Sequence, residues 1–421
     1  MDTSVEAIRA ARRELDAVIE EIRAVPGHED FLAAPSFEDI ATVAAADHPL
    51  VYIAAADLGG LALVVRGNDV EHVLLDGLTA DVVRERVSAH LSIYNAYRHD
   101  AEAGRDSWRN ALDGVTQWLW PEVVGPVLDK LGPITRAVFV PGGLLGLLPL
   151  HAAWTPDESR PGGRRYALDT LKITYAPNAR ALAAARTLAR RPADRVVVVA
   201  DPPHRPALEP LPLARVEAQF TERAFTQPVL VPPEEATRER VLAEITAADV
   251  AHLACHGFAE LQTPLDSGLN LAGEDVLRLS DLLALRSELR LAVLSACETS
   301  MPGTELPDEV VSLPTGLLQA GVGGVLASLW AVPDPSTALL MGEFYRQWRH
   351  AEVAPPDALR AAQLWLRDTS NATKSELLAA GALEGLLSDA AVDELLNAIL
   401  ERGPEDDSHI QAWAGFAYVG A

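Results

Sequence analysis

Two short stretches decide how this chain folds. Residues 250–257 read Val-Ala-His-Leu-Ala-Cys-His-Gly, and residues 291–298 read Leu-Ala-Val-Leu-Ser-Ala-Cys-Glu. Each is an apolar run of the kind that buried parallel strands show, and each ends directly in a reactive side chain. One short helical segment, which starts at Ser280 and Asp281, separates them. We therefore expect two neighbouring parallel strands in one sheet.

The sequence around these stretches alternates between strands and helices in the same manner. A run at 195–201 is apolar on both faces, and a weaker series of β-like and helical runs covers residues 50–190. Such alternation predicts an α/β fold with a mostly parallel sheet. Ahead of it, a capping-box pattern at 3–6 opens a helix whose apolar stripe is expected to pack on the body, with a short coiled coil as the alternative. Residues 155–164 are the best candidate for a linker or flexible insertion.

Composition excludes several classes of protein. The 421 residues carry a net charge of −25, which gives no electrostatic footprint for nucleic acid and disfavours anionic membranes. The first residues lack the basic and apolar regions of a signal peptide, so a cytoplasmic location is expected. Only two cysteines are present, at 255 and 297, which is too few for a disulfide framework.

The strand ends carry the residues of a nucleophilic acyl transfer. His256 follows the first strand and Cys297 the second, so the two can face each other across a cleft. A thiolate attacks a carbonyl, and a neighbouring imidazole accepts and then returns the proton. Gly257 lacks a Cβ that would obstruct a substrate carbonyl, so its N–H and that of Cys297 are the candidate oxyanion-hole donors.

The histidines and cysteines of these stretches also have purely structural explanations. Cys255 lies inside an apolar strand, where a cysteine is usually an inert small hydrophobe, and His252 is more typical of a core histidine than of a ligand. A metal site from His252, Cys255 and His256 would lack the further ligands that close a tetrahedron. No metal and no cofactor are expected. Spacing alone leaves the dyad of His256 and Cys297 and its structural alternative equally open.

Other enzyme classes lack their signatures. The glycine-rich segment 321–326 fails the dinucleotide pattern at its last position and precedes a strand, and no phosphate-binding loop occurs. A serine hydrolase elbow is also missing.

Several motifs together resemble the CHAT domain, a bacterial caspase-like peptidase family related to separase. They stand in this sequence at 252–258, 294–299, 314–321, 328–330 and 413–416. The resemblance implies that His256 is the general base and Cys297 the nucleophile, in a caspase-like αβα sandwich. It also implies a degenerate, non-catalytic half at 46–190 and the active peptidase half at 191–421. The sequence pattern adds an N-terminal helical segment at 1–45 ahead of them.

The resemblance further implies a function. The expected activity is a cysteine endopeptidase that cleaves a protein partner, as an effector of a bacterial stress or defence response. The alternative is a catalytically silent caspase-like scaffold that binds a partner protein. CHAT domains often follow tetratricopeptide sensor arrays, whereas the sequence ahead of residue 46 amounts to one helix. A separately encoded sensor or activator is therefore expected, with an autoinhibitory loop as the alternative.

Substrate specificity is less readable from the sequence. The loop after the nucleophile carries Glu298, Asp308 and Glu309, and the last two could pair with a basic side chain of the substrate. A solvated acidic turn is an equal alternative. Asp266 lies on a loop near His256. An aspartate in the sequence Pro-Leu-Asp-Ser-Gly is more typical of a turn residue than of a third catalytic residue.

Overall fold

The computed structural model describes residues 5–28, 31, 36–206, 208–301, 311–381, 385–402 and 407–421. Its strands are β1 Leu50–Ala56, β2 Gly59–Arg66, β3 Asp69–Leu75, β4 Arg136–Pro141, β5 Trp154–Pro156, β6 Arg164–Tyr166, β7 Lys172–Tyr175, β8 Arg195–Ala200, β9 Gln227–Leu230, β10 Val250–Ala254, β11 Gly257–Phe258, β12 Gly268–Asn270, β13 Val276–Arg278, β14 Leu291–Ser295, β15 Gly324–Ser328 and β16 Phe416–Gly420.

Helices connect most of these strands. They are α1 Val5–Arg23, α2 Phe37–Val43, α3 Ala80–His99, α4 Ala101–Leu119, α5 Gly125–Leu131, α6 Ala167–Thr170, α7 Ala179–Leu188, α8 Ala214–Ala224, α9 Arg238–Ala247, α10 Leu279–Ala284, α11 Leu313–Gln319, α12 Asp334–Tyr345, α13 Pro355–Asp368, α14 Asn371–Ala379, α15 Asp389–Glu401 and α16 Ile410–Trp413.

A single large sheet organises the molecule. Its eleven strands follow the order β3-β2-β1-β4-β7-β16-β15-β14-β10-β8-β9. Strands β1, β4, β7 and β16 run parallel to one another, and so do β15, β14, β10, β8 and β9. The two groups meet at the antiparallel pair of β15 and β16. The predicted α/β fold with a mostly parallel sheet is confirmed.

Both faces of the sheet are covered by helices, which explains the unbroken apolar runs. Val196 and Val198 of β8 join the hydrophobic cluster on one face, while Val197 and Val199 join the cluster on the other. Because successive strand residues point to opposite faces, a strand between two helical layers needs apolar residues at every position. The result is an αβα sandwich.

The first series of elements differs in detail from the expected β-α-β units. Strands β1, β2 and β3 form an antiparallel meander, and only β1 continues in parallel to β4. The segment 155–164 is not a linker, because its ends form the β5–β6 hairpin. Arg164 of that hairpin forms a bidentate ion pair with Asp113 of α4 and lies over the Trp154 ring. The ion pair with Asp113 joins the hairpin to the body.

The N-terminal helix also departs from expectation. Helix α1 is present, but Leu15 and Val18 of its apolar stripe are 54% and 46% exposed, so this part of the stripe does not pack on the body. The capping-box residues Thr3 and Ser4 lie outside the described residues. Within the described ranges, no helix is both long and apolar enough to span a bilayer. The division of the chain at residues 45 and 190 stays a prediction.

Candidate active site

Strands β10 and β14 place His256 and Cys297 at the same edge of the sheet. The strands are parallel neighbours, and their register sets Ala254 opposite Ser295. Each candidate catalytic residue follows its paired residue by two positions. The carboxyl ends of parallel strands are where ligands bind in open α/β sheets. The structure thus brings the two residues to neighbouring strand ends, as their spacing predicts.

The His256 ring has a defined tautomer. Its Nε2 lies 2.6 Å from the backbone carbonyl oxygen of Glu209, in the proline-rich loop after β8. A carbonyl oxygen only accepts hydrogen bonds, so Nε2 carries the proton and donates. In the neutral ring, Nδ1 is then the nitrogen that can accept a proton from a thiol.

The Cys297 thiol is held in its protonated form in this state. Burial raises the pKa of this half-buried thiol to about 11; Arg98 opposes the shift, whereas Glu298 and Asp334 add to it. Among the described residues, no hydrogen bond joins the thiol to the His256 ring. A reaction at Cys297 therefore needs the imidazole to take up the proton as the substrate is attacked.

Gly257 packs directly against the backbone of the turn that carries Cys297. A Cβ at this position would lie 2.6 Å from the carbonyl oxygen of Cys297, which is closer than side chains tolerate. The preceding carbonyl, that of His256, accepts from Asn270 N–H on the β12 side. Since the two ends of a trans peptide point in opposite directions, the Gly257 N–H points away from β12. It is therefore free of the β11–β12 ladder, as an oxyanion donor must be.

The turn after Cys297 is fastened to the end of β15. Ser328 donates its hydroxyl to the carbonyl of Ala296 at 2.6 Å, and its own carbonyl accepts from Ser300 N–H at 2.7 Å. The Thr299 hydroxyl accepts from Ser328 N–H at 3.0 Å. These bonds fix the backbone on both sides of the cysteine.

Glu298 turns inward to the N-terminal part of the chain. Its Oε1 accepts from the Tyr94 hydroxyl at 2.8 Å and lies 3.0 Å from Arg98 Nε. The carboxylate is thus paired within the protein, and its predicted contact with substrate stays a prediction. Asp308 and Glu309, the other two predicted specificity residues, lie outside the described residues.

A small, mainly apolar cavity with two carboxyl groups in its lining opens beside Cys297. It measures about 90 Å³, and its lining includes Cys297, Glu217, Ser295 and Asp334. Burial raises the pKa of Asp334 to about 6, while its bond from Leu213 N–H at 3.1 Å acts in the opposite direction. This cavity could take a side chain that carries a positive charge.

Glu217 belongs to a buried polar network beneath the cavity. Its Oε2 accepts from the Ser295 hydroxyl at 2.6 Å and lies 3.4 Å from Nε2 of His252. The other ring nitrogen of His252 is 2.9 Å from the Tyr345 hydroxyl. His252 is fully buried within this network, and burial raises the pKa of the Cys255 thiol to about 12. Both residues have the surroundings of core residues.

Sequence reasoning missed several residues of the site. Glu217 and Asp334 lie on α8 and α12, where single acidic residues resemble an ordinary solvated helix face. The Glu209 contact uses a backbone carbonyl, which no residue type reveals. Asp266 is exposed in a short helical turn after Thr263, as a turn residue would be.

The fold is a caspase-like αβα sandwich with a histidine and a cysteine just beyond the ends of two adjacent parallel strands. Residues 113–421 match the family described as CHAT domain. The chain therefore belongs to the CHAT domain family, and the predicted resemblance is confirmed.

Two solved structures of one yeast complex support the fold, and a third solved structure is more distantly similar. The separase–securin complex of Saccharomyces cerevisiae aligns with a TM-score of 0.57 at 12% identity, over 96% of this chain and 31% of that chain. A second structure of that complex aligns with a TM-score of 0.54 at 10% identity, again over 96% of this chain and 31% of that chain. The Arg specific cysteine proteinase gingipain R aligns with a TM-score of 0.37 at 10% identity, over 74% of this chain and 67% of its own.

A curated relative covers part of the chain. Tetratricopeptide repeat protein 28 of Mus musculus is 25% identical over 251 residues, which is 50% of this chain and 9% of the mouse protein. The chain thus spans a small part of this relative and about a third of the yeast separase chain.

Proposed function

We propose that the protein is a cysteine endopeptidase that cleaves a protein partner, with Cys297 as nucleophile and His256 as general base. The observation that carries this proposal is their position at the ends of adjacent parallel strands, with the imidazole proton fixed on Nε2 by the Glu209 carbonyl. Nδ1 of His256 is then the base. A dyad of this kind needs no third side chain.

The reaction has two halves. His256 Nδ1 takes the thiol proton as the Cys297 sulfur attacks the scissile carbonyl carbon, whose oxygen becomes negative. The N–H groups of Gly257 and Cys297 donate to that oxygen, and each such donor typically contributes about 3 kcal/mol to transition-state stabilisation. The C–N bond breaks as the leaving amine takes the proton from Nδ1. Water then loses a proton to Nδ1 and attacks the thioester, which releases the acid and restores the thiol.

The cavity supports a basic side chain next to the scissile bond. Glu217 and Asp334 line it together with Cys297, so a guanidinium or ammonium group there would meet carboxylates. Asp308 and Glu309, on the loop after the nucleophile, are our further candidates for this contact.

The biological role rests on the family alone. We assign residues 46–190 to a degenerate, non-catalytic half and residues 191–421 to the active half of an effector protease in bacterial stress or defence. The yeast neighbour is a separase–securin complex, and a protein partner for this chain, as substrate or as separately encoded sensor or activator, is part of the proposal.

Cleavage of a peptide library tests the activity. Wild type should cut, with arginine or lysine before the scissile bond, and Cys297→Ala and His256→Ala should not. An Asp334→Asn variant should lose preference for the basic side chain while it still cuts apolar peptides slowly. Equal cleavage by wild type and Cys297→Ala, or none by wild type with any peptide or partner, would favour the catalytically silent scaffold.

A further inference from the structure

The residue after the candidate nucleophile has an unusual backbone conformation. Glu298 has a φ of 63°, in the left-handed region where residues with a side chain are uncommon. Such a conformation persists only where the surroundings enforce it, and glycine would adopt it without strain. The position of the Cys297 backbone therefore depends on whatever holds Glu298.

Helix α3 holds the Glu298 side chain. Tyr94 and Arg98 lie four residues apart on one face of this helix, and both contact the same carboxylate oxygen, Oε1. The carboxylate is mostly buried, with 14% of its side chain exposed. Charge-assisted hydrogen bonds in such a setting are among the stronger polar contacts in proteins.

Tyr94 connects this contact to the strand that braces the turn. Its hydroxyl donates to Glu298 and accepts from Ala331 N–H at 2.8 Å, just beyond β15. Its buried ring lies 4.8 Å from Trp108, which in turn meets Trp330 edge-on at 5.9 Å. The hydroxyl is thus held in place by aromatic packing before any substrate arrives.

These contacts come from a part of the chain outside the family match. The CHAT match begins at residue 113, whereas α3 ends at His99. The N-terminal elements therefore do more than extend the sheet, because one of them reaches the turn that carries the nucleophile.

We propose that Tyr94 and Arg98 are positioning residues for Cys297, acting through Glu298. They hold the left-handed turn, and the turn aims the Cys297 sulfur and N–H at the substrate carbonyl. The inference rests on the proposed role of Cys297 as nucleophile. Arg98 is also the cation that lowers the pKa of the Cys297 thiol against the effect of burial, which is consistent with this arrangement.

The test measures the rate at which iodoacetamide alkylates Cys297, mapped by peptide mass spectrometry, in the full chain. Arg98→Ala and Tyr94→Phe should each lower this rate about tenfold, the effect expected for loss of one hydrogen bond to a charged group. Arg84→Ala is the matched control, since Arg84 is an exposed arginine on the same helix that pairs with Asp81. Tyr94→Phe keeps the ring and its packing, so it remains informative if Arg98→Ala fails to fold.

Two double variants separate backbone positioning from a charge effect. Arg98→Ala with Glu298→Gly should recover the wild-type rate, because glycine adopts the turn without help. Arg98→Ala with Glu298→Gln removes the same two charges but keeps a side chain, and should stay slow. Equal recovery with Gly and Gln, or an Arg98→Ala rate equal to that of Arg84→Ala, would overturn the proposal. Alkylation needs no peptidase activity, so these outcomes are independent of whether the protein cleaves peptides.

Discussion

His256 donates its Nε2 proton to the backbone carbonyl of Glu209 across 2.6 Å, and this single contact sets the chemistry of the ring. It leaves Nδ1 as the acceptor nitrogen of the neutral imidazole and holds the ring at the strand end. In the proposed mechanism this contact would orient the ring as a carboxylate does in a catalytic triad, without adding a negative charge.

Replacement of His256 tests its role as base. His256→Gln should lower kcat/KM for peptide cleavage by about 10²–10⁴-fold, the usual contribution of a general base. Its thermal unfolding should change little, because the ring is only half-buried. The Asp266→Asn variant tests whether Asp266 acts as a third catalytic residue, and it should cleave peptides like wild type. A His256→Gln enzyme as active as wild type would contradict the dyad.

The thiol environment predicts a pH dependence. With a pKa of about 11 for Cys297, the thiolate fraction rises about tenfold per pH unit between pH 7 and 10. The alkylation rate of Cys297 should therefore climb without a plateau over this range. Cys255 in the same chain, buried and with a pKa of about 12, serves as the internal reference and should react more slowly. A plateau below pH 8 would mean that the free enzyme already holds a thiolate.

Local patterns in the sequence predict the sheet but not all of the site. The apolar runs of β10 and β14 and the segment between them suffice to place His256 and Cys297 at one edge, because strand periodicity and connection length are local properties. The Glu298 contact with Tyr94 joins residues 204 positions apart, and the Glu209 carbonyl lies 47 positions from His256. Such contacts depend on how helices and loops pack on the sheet, and no spacing rule encodes them.

Gly257 offers a test of close backbone packing. In Gly257→Ala the new Cβ would lie 2.6 Å from the Cys297 carbonyl oxygen, so the turn that carries Cys297 must move. Overpacking of this kind typically costs about 1–3 kcal/mol, and we expect both a lower stability and loss of peptide cleavage. Chemical denaturation and kcat/KM measure the two effects.

Gly114 on α4 is the matched control for this substitution. An added Cβ there meets no atom within 4 Å, and Gly114→Ala should stabilise the helix by about 0.5–1 kcal/mol. If Gly257→Ala were as stable and as active as Gly114→Ala, the close approach would be of no consequence.

We expect the contribution of Asp334 to the free energy of unfolding to fall as pH rises. Burial raises the pKa of this carboxyl from 3.8 to about 6, so the folded state holds the proton more tightly than the unfolded state. Its favourable contribution is complete below pH 3.8 and is lost as pH rises through 6. Each pKa unit corresponds to about 1.4 kcal/mol, and partial exposure reduces the net effect to on the order of 1 kcal/mol.

The Asp334→Asn variant removes this dependence. Asparagine keeps an oxygen that can accept from Leu213 N–H, so the variant should match wild type near pH 4 and exceed it in stability at pH 8. Urea denaturation at both pH values measures the difference. An Asn variant that is less stable than wild type at pH 8 would show that the charged carboxylate has a partner that stabilises it.

We expect the contribution of His90 to the free energy of unfolding to have the opposite pH dependence. Its ring is buried beside Trp108, with 4.8 Å between centroids, and its Nδ1 has no hydrogen-bond partner among the described residues. Burial lowers the pKa of His90 from 6.5 to about 4, so the stability associated with the neutral ring is present above pH 6.5 and lost as pH falls through 4. His90→Phe keeps an aromatic ring and has nothing to protonate. Its gain in unfolding free energy over wild type should therefore be larger at pH 5 than at pH 8, and an equal gain at both would contradict a buried neutral imidazole.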